Sequence, residues 1–353
     1  MDRQVLRRLI GRVLMVGIPG PELDEATRTT LARLAAGGVI LFRRNVLAPA
    51  QLAALTEELH RQPARPLIGI DHEGGRVQRL GAPFTVFPAM AVVGATGEAA
   101  LARQVGRAMG IELAAAGIDL DFAPVLDVNS NPANPIIGDR AFSHDPAVVA
   151  AMGVALMHGL HEGGVLSCGK HFPGHGDTDS DSHLALPVVP RDRAALESTE
   201  LVPFRAAVRA GMPLLMTAHV LYPALDQERP ATLSPAVLRD LLRTQLGFTG
   251  VIVSDDLGMC AITDHHDVGE AAVQTLAAGA ELLLLCSDLA QAVQAASAIE
   301  RAVVDGRLAA PVLEAAATRV RQLAKPSPVT RAALRDLPIA AHAALRTRLE
   351  TPG

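Results

Sequence analysis

Eight short apolar runs punctuate this chain, at residues 12–18, 38–42, 66–70, 120–126, 164–168, 213–217, 250–254 and 281–286. Each is the length of a buried strand, and most are followed by an alanine-rich segment with helical periodicity. Leu101, Val105, Ala108 and Met109 fall at i, i+4, i+7 and i+8, one face of a helix. Asp145-Pro146 reads as a helix cap with proline in the first helical position, and Val149, Met152 and Leu156 follow on one face. Ser234-Pro235 opens another helix in the same way. Strands alternating with helices make βα units and a parallel sheet. Eight such units predict an α/β chain closed into a single (β/α)8 TIM-type barrel rather than an open doubly wound sheet. No GxGxxG follows the first run, which argues against a dinucleotide-binding fold. The barrel is expected over residues 1–325. Residues 326–353, with Pro326, Pro328 and several arginines, are expected to form a helical tail, with no second domain.

In such barrels the active site lies where the strands end. Polar residues gather there: Arg43 and Asn45, Asp71, Asp127, Lys170 and His171, His219, and Asp255. The beginnings of the same runs show no comparable set. The densest stretch is Lys170-His171-Phe172-Pro173-Gly174-His175-Gly176-Asp177-Thr178-Asp179-Ser180-Asp181-Ser182-His183, read as a loop delivered by the run before it. Asp177, Asp179 and Asp181 alternate like a calcium loop, but Ser182 and Val188 stand where that motif needs Gly and Glu. His171 and His175 have a zinc-ligand spacing that works on a helix, and Pro173 and Gly174 break one. No metal is expected. The better fit is a dyad. Asp181 and His183, two apart in extended chain, point to the same side, so the carboxylate orients the imidazole as a proton shuttle. Its counterpart is Asp255, at the end of the seventh run, for which a helix cap is the competing role.

These stretches resemble family 3 of the glycoside hydrolases, and within it the single-domain bacterial β-N-acetylglucosaminidases. The resemblance rests on the long loop together with residues 40–45, 71–79, 138–140, 216–219 and 254–257, which occur in the family's order. It implies exo-acting removal of terminal β-linked N-acetylglucosamine with retention of configuration. Asp255 is then the nucleophile, His183 the acid/base and Asp181 its orienting partner. Asp71, Arg79, Arg140, Lys170 and His171 match the family's sugar-binding positions. The implied role is peptidoglycan recycling, on small muropeptide saccharides carrying anhydro-N-acetylmuramic acid, without metal or organic cofactor. Glu73 reads as a support for Arg76 and Arg79, and Asp256 as a support for its own loop. His175 and His219 are open between facing substrate and packing.

Three other readings start from the same residues: a phosphorylase that intercepts the Asp255 intermediate with phosphate, a metal-dependent barrel hydrolase, and an inactive sugar-binding protein. A neutral histidine, unlike a carboxylate, does not repel phosphate. Retention of Asp255, Asp181 and His183 together argues against the inactive form. With no Trp and one Tyr, the chain lacks the aromatic platform of a polymer-binding cleft, which favours a pocket for one terminal sugar. A net charge of −5 argues against nucleic acid or anionic membrane as a partner. Cys168, Cys260 and Cys286 share no CxxC spacing and read as reduced core thiols. Arg12 interrupts the signal-like N-terminal segment, so a cytoplasmic location is expected; a monomer is expected as well.

Overall fold

The computed structural model, described over residues 2–178, 182, 186–323 and 331–351, places all eight apolar runs in one closed parallel barrel. The strands are Leu14–Gly17, Gly38–Leu41, Leu67–Ile70, Leu120–Asp121, Leu166–Phe172, Leu214–Thr217, Val251–Asp256 and Leu282–Leu285. Each pairs with its neighbours in sequence order, and the eighth closes on the first with Leu14 opposite Leu283. Alternation sorts the side chains. Met15, Ile40, Leu282 and Leu284 pack with one another inside the barrel. Leu14, Val16, Val39, Leu41, Leu283 and Leu285 face outward into the layer shared with the helices.

Two strands break this alternation. Between the fifth and sixth, Gly169 faces Leu215 but Phe172 faces Thr217, so the fifth carries one extra residue. Between the seventh and eighth, Val253 faces Leu282 while Asp256 faces Leu284, again one extra. Such bulges re-aim side chains, and both fall on the polar strand ends. The fifth strand also runs further than its apolar run suggests. Lys170 and His171 are strand residues, not loop residues.

The helices follow their sequence cues, with one difference. Asp145 caps Pro146–Glu162 by accepting from the Ala147 N–H. Ser234 accepts from the Val237 N–H, but the segment Ala236–Gln245 is wound with wider π-type turns rather than as an α-helix. The beginnings of the strands also hold charge that the sequence pattern did not reveal. Glu281 is bound by Arg243 at 2.5 and 2.6 Å and by Arg319 at 3.1 Å, and accepts from the Ile252 N–H. It ties helices to the sheet far from the polar ends. In the tail, helix Ala340–Glu350 docks on the barrel. His342 lies 2.7 Å from Glu112, which also receives the Thr85 N–H and hydroxyl, while Leu349 joins the apolar cluster of Leu101 and Val105.

The outer helices Ala99–Ala115 and Pro146–Glu162 cross at unusually close range. A Cβ on Gly159 would stand 2.1 Å from the Arg103 carbonyl oxygen, and one on Gly106 would stand 2.4 Å from that of Leu156. Helix propensity alone favours Gly→Ala by about 1 kcal/mol. Here the new methyl meets backbone, which cannot swing aside, so the sign reverses. Gly159→Ala is expected to destabilise the protein by about 1–3 kcal/mol, read as a lowered urea midpoint. A raised midpoint would show that the crossing yields.

Candidate active site

The ends of the strands surround a cleft of about 190 Å³. Asp71, Arg79, Arg140, Lys170, His171 and Asp255 all line it, together with Glu73, His175, Ser182 and Asp256. Phe42, Met216, Met259 and Leu284 supply apolar wall. The cleft thus combines a few apolar surfaces with closely interleaved carboxylates and cations.

Its centre is Lys170. The ammonium Nζ lies 2.7 Å from Asp71 Oδ1 and 2.6 Å from Glu73 Oε1. Arg140 closes a two-point fork on Glu73, with Nε to Oε2 and Nη2 to Oε1 both at 2.8 Å. Arg79 Nη2 reaches Asp71 Oδ2 at 3.2 Å. Burial opposes charge on Glu73, Arg140 and Lys170. For Glu73, Arg140 and Lys170 outweigh burial and hold the carboxyl well below its usual range. For Lys170, Asp71 and Glu73 likewise overcome burial and raise the ammonium above its ordinary value. The fork geometry needs the hairpin His72–Gly74/Val77–Gln78 after the third strand. Gly74 and Gly75, at φ of 94° and 55°, turn that hairpin back. Glu73 therefore serves Arg140 and Lys170. Arg79 is held by Asp71, while Arg76 clamps Asp139 and the carbonyls of residues 135–137.

A second buried carboxylate organises the histidines. Asp127 accepts from the backbone N–H groups of His171 and His175, at 3.1 and 2.7 Å, and its Oδ2 lies 2.7 Å from His171 Nδ1. Burial pushes its pKa up, but the neighbouring His171 and these bonds prevail, and it is lowered. His175 bonds Thr178 through Nδ1 and Ser182 through Nε2. Burial and the adjacent His171 ring lower it to about 4, so it is neutral at physiological pH. The His171 and His175 rings meet edge-on, with their centres 5.7 Å apart. His219 is wholly buried between Thr232 and the Asp256 carbonyl, which makes it a packing residue.

Asp255 sits within the seventh strand, before the helix Cys260–Thr263, so it is not a helix cap. Its Oδ1 accepts from the Asp256 N–H at 2.8 Å. Asp256 points its own Oδ1 at the N–H groups of Gly258 and Cys286, anchoring its loop. Asp181 and His183 lie outside the described residues. Ser182 between them is described and buried, with its carbonyl 3.3 Å from the Ala261 N–H.

Some polar strand ends serve the scaffold instead. Asn45 is buried, donating to the carbonyls of Ile18 and Gly20 and accepting from the Phe42 N–H. Arg43 and Asn45 do not line the cleft. Phe42 does, with the Arg44 and Arg79 guanidinium carbons 4.6 and 5.6 Å from its ring centre. Sequence reasoning passed over Phe42, although it ends the second apolar run. Cys168 and Cys286 are buried free thiols, whereas Cys260 is partly exposed.

The model of the glycosyl hydrolase family 3 N terminal domain matches residues 5–323. The chain belongs to glycosyl hydrolase family 3, and is a glycoside hydrolase. A β-hexosaminidase of Chromobacterium violaceum is 43% identical over 340 residues, covering 89% of this chain and 94% of its own. That of Thiobacillus denitrificans is 45% identical over 281 residues, 78% of either chain. Among solved structures, NagZ from Neisseria gonorrhoeae in complex with N-trifluoroacetyl-D-glucosamine matches with a TM-score of 0.80 and 37% identity over 96% of both chains. A family 3 β-N-acetylglucosaminidase from Paenibacillus sp. str. FPU-7 gives a TM-score of 0.87 at 40% identity. That match covers 99% of this chain, which spans 64% of the Paenibacillus one.

The buried charges give a stability test. Because the folded pKa of Glu73 is depressed, its ionisation stabilises the fold above the unfolded value of 4.5, and this is lost as pH falls towards the folded pKa. Glu73→Gln leaves Lys170 and Arg140 under-compensated, and should cost about 3–5 kcal/mol at pH 7. The deficit relative to wild type should shrink below pH 4.5. Urea titrations of both proteins across this range check it; a deficit independent of pH would contradict the assignment.

Proposed function

We propose that the chain is a retaining exo-β-N-acetylglucosaminidase acting on terminal β-linked N-acetylglucosamine through a covalent glycosyl-enzyme. The observation that carries this reading is Asp255 at a strand end, across one small cleft from the Asp71–Lys170–Glu73–Arg140 network. Such a network presents carboxylate acceptors and cationic donors to sugar hydroxyls while its own charges stay balanced. With His171 Nδ1 held by Asp127, Nε2 is the ring nitrogen for a hydroxyl. The names of the related β-hexosaminidases and of the N-trifluoroacetyl-D-glucosamine complex support an N-acetylated sugar.

In the first step an oxygen of Asp255 attacks the anomeric carbon while the bond to the aglycone oxygen breaks. Bonding to the Asp256 N–H fixes the rotation of that carboxylate. His183, oriented by Asp181, gives its proton to the departing oxygen. It then takes a proton from the water that cleaves the glycosyl ester, so configuration is retained after two inversions. Retaining enzymes ordinarily use two carboxyl groups; here the histidine dyad supplies the second function. The muropeptide aglycone, peptidoglycan recycling, a cytoplasmic location and a monomeric state belong to the same proposal. No organic or metal cofactor enters any step.

Two tests follow. Asp255→Ala should lose at least about 10⁴-fold in activity while folding normally. A 2-acetamido-5-fluoro sugar should label Asp255 in the wild type; labelling at Asp256 would show that the wrong carboxylate was assigned. Aryl N-acetylglucosaminides should be cleaved in preference to aryl glucosides, with no internal cuts in chitin. Equal rates on the two glycosides, or a glycosyl phosphate as the main product when phosphate is added, would overturn the hydrolase assignment.

A further inference from the structure

Asn134 forms hydrogen bonds through both ends of its amide beside the cleft, yet it does not line it. It is 6% exposed. Its Oδ1 accepts from the N–H groups of Ile136 and Ile137, both at 2.8 Å. Its Nδ2 donates to the carbonyls of His175 and Gly176 at 2.8 and 3.0 Å, and meets Thr178 Oγ1 at 3.2 Å. Donors at one end and carbonyls at the other permit only this amide orientation.

The two ends serve different loops. Ile136 and Ile137 begin the turn that carries Arg140, and so the fork on Glu73. Residues 175–178 are the stem from which the chain leads on in sequence to Asp181 and His183, both outside the described residues. Thr178 Oγ1, which Asn134 touches, also bonds His175 Nδ1, and His175 Nε2 bonds Ser182. Gly176 is seated so closely that a Cβ there would stand 1.5 Å from the Val128 carbonyl oxygen. The stem therefore has little room to shift towards Val128.

We infer that Asn134 is a positioning residue for the hydrolysis, setting the stem at residues 175–178, which precedes the acid/base dyad in sequence, against the turn that carries Arg140. The inference rests on the reading of His183 as proton shuttle. Its chemistry is separable because the two ends of the amide are separable. Asn134→Asp keeps the acceptor for Ile136 and Ile137 but turns a carboxylate oxygen towards the carbonyls of His175 and Gly176. The stem should move while the Arg140 turn stays.

The readout is leaving-group selectivity. A sugar alkoxide needs protonation as it departs, whereas a nitrophenolate scarcely does. In Asn134→Asp, kcat/KM for an N-acetylglucosaminyl disaccharide should fall by about 10–10²-fold, the scale of a small misplacement of a catalytic group. For the activated aryl glycoside it should fall far less, and inhibition by N-acetylglucosamine should be unchanged. Asn134→Ala, lacking both ends, should also weaken that inhibition. If Asn134→Asp does not fold, Thr178→Val removes one of the same contacts with little change of shape and carries the same expectation. Equal losses on both substrates, or no loss, would overturn the role. His183→Ala measured alongside separates two failures. Selectivity there but not in Asn134→Asp overturns the positioning role alone; no selectivity in His183→Ala overturns the shuttle reading and this inference with it.

Discussion

The contact on which the site depends is that of the Lys170 ammonium with Asp71 and Glu73, closed off by Arg140. Each of these charges, taken alone, would cost several kcal/mol to bury. Together they cancel, and the cancellation ties the ends of the third and fifth strands to the hairpin and to the turn at residue 140. Packing an apolar barrel requires none of this. The network sits where the apolar layers end, and it fixes charged groups at separations a sugar's hydroxyls can bridge.

How consecutive residues come to share that cleft is a matter of backbone register. In a regular strand Lys170 and His171 would face opposite sides, as would Asp255 and Asp256. The extra residue in each of the fifth and seventh strands lets both members of each pair line the cleft. The Lys170–His171 peptide is cis. Asp127 then receives the His171 backbone and ring and the His175 backbone, so one buried carboxylate sets the orientation of the strand end and the loop after it.

The opposite end of the barrel shows the contrast. Glu281, Arg243 and Arg319 also make an ion cluster, but their remaining bonds go to backbone, from Arg243 to the Phe248 carbonyl, from Arg319 to the Thr249 carbonyl and from the Ile252 N–H to Glu281, and none of the three lines the strand-end cleft. Charge density alone does not mark a site. What distinguishes the polar strand ends is that their ionic groups keep one face on a cavity while the other is satisfied by protein.

The barrel was legible from the order of residues alone. Eight apolar runs of strand length, spaced by amphipathic helices, have few other ways to bury their surface, and the polar residues after Ile70, Gly169 and Ser254 marked the end at which a site would form. Pattern could also indicate that Asp71, Lys170 and Asp255 belong near one another, because strand ends converge when a barrel closes. It could not choose partners among them. Glu73 was legible as a buried support, but its pairing with Arg140, 67 positions away, rather than with Arg76 or Arg79 nearby, depends on how the hairpin turns at Gly74 and Gly75. Asp127 and Asn45 read alike as polar residues at strand ends, and nothing in the pattern singled out Asn134. Which carbonyls and N–H groups each one meets is set by the folded barrel, where Asn134 joins two loops, Asp127 holds the histidines and Asn45 staples the scaffold. Periodicity records which side of an element a residue faces, whereas a hydrogen bond between loops depends on distances fixed only once the barrel has closed.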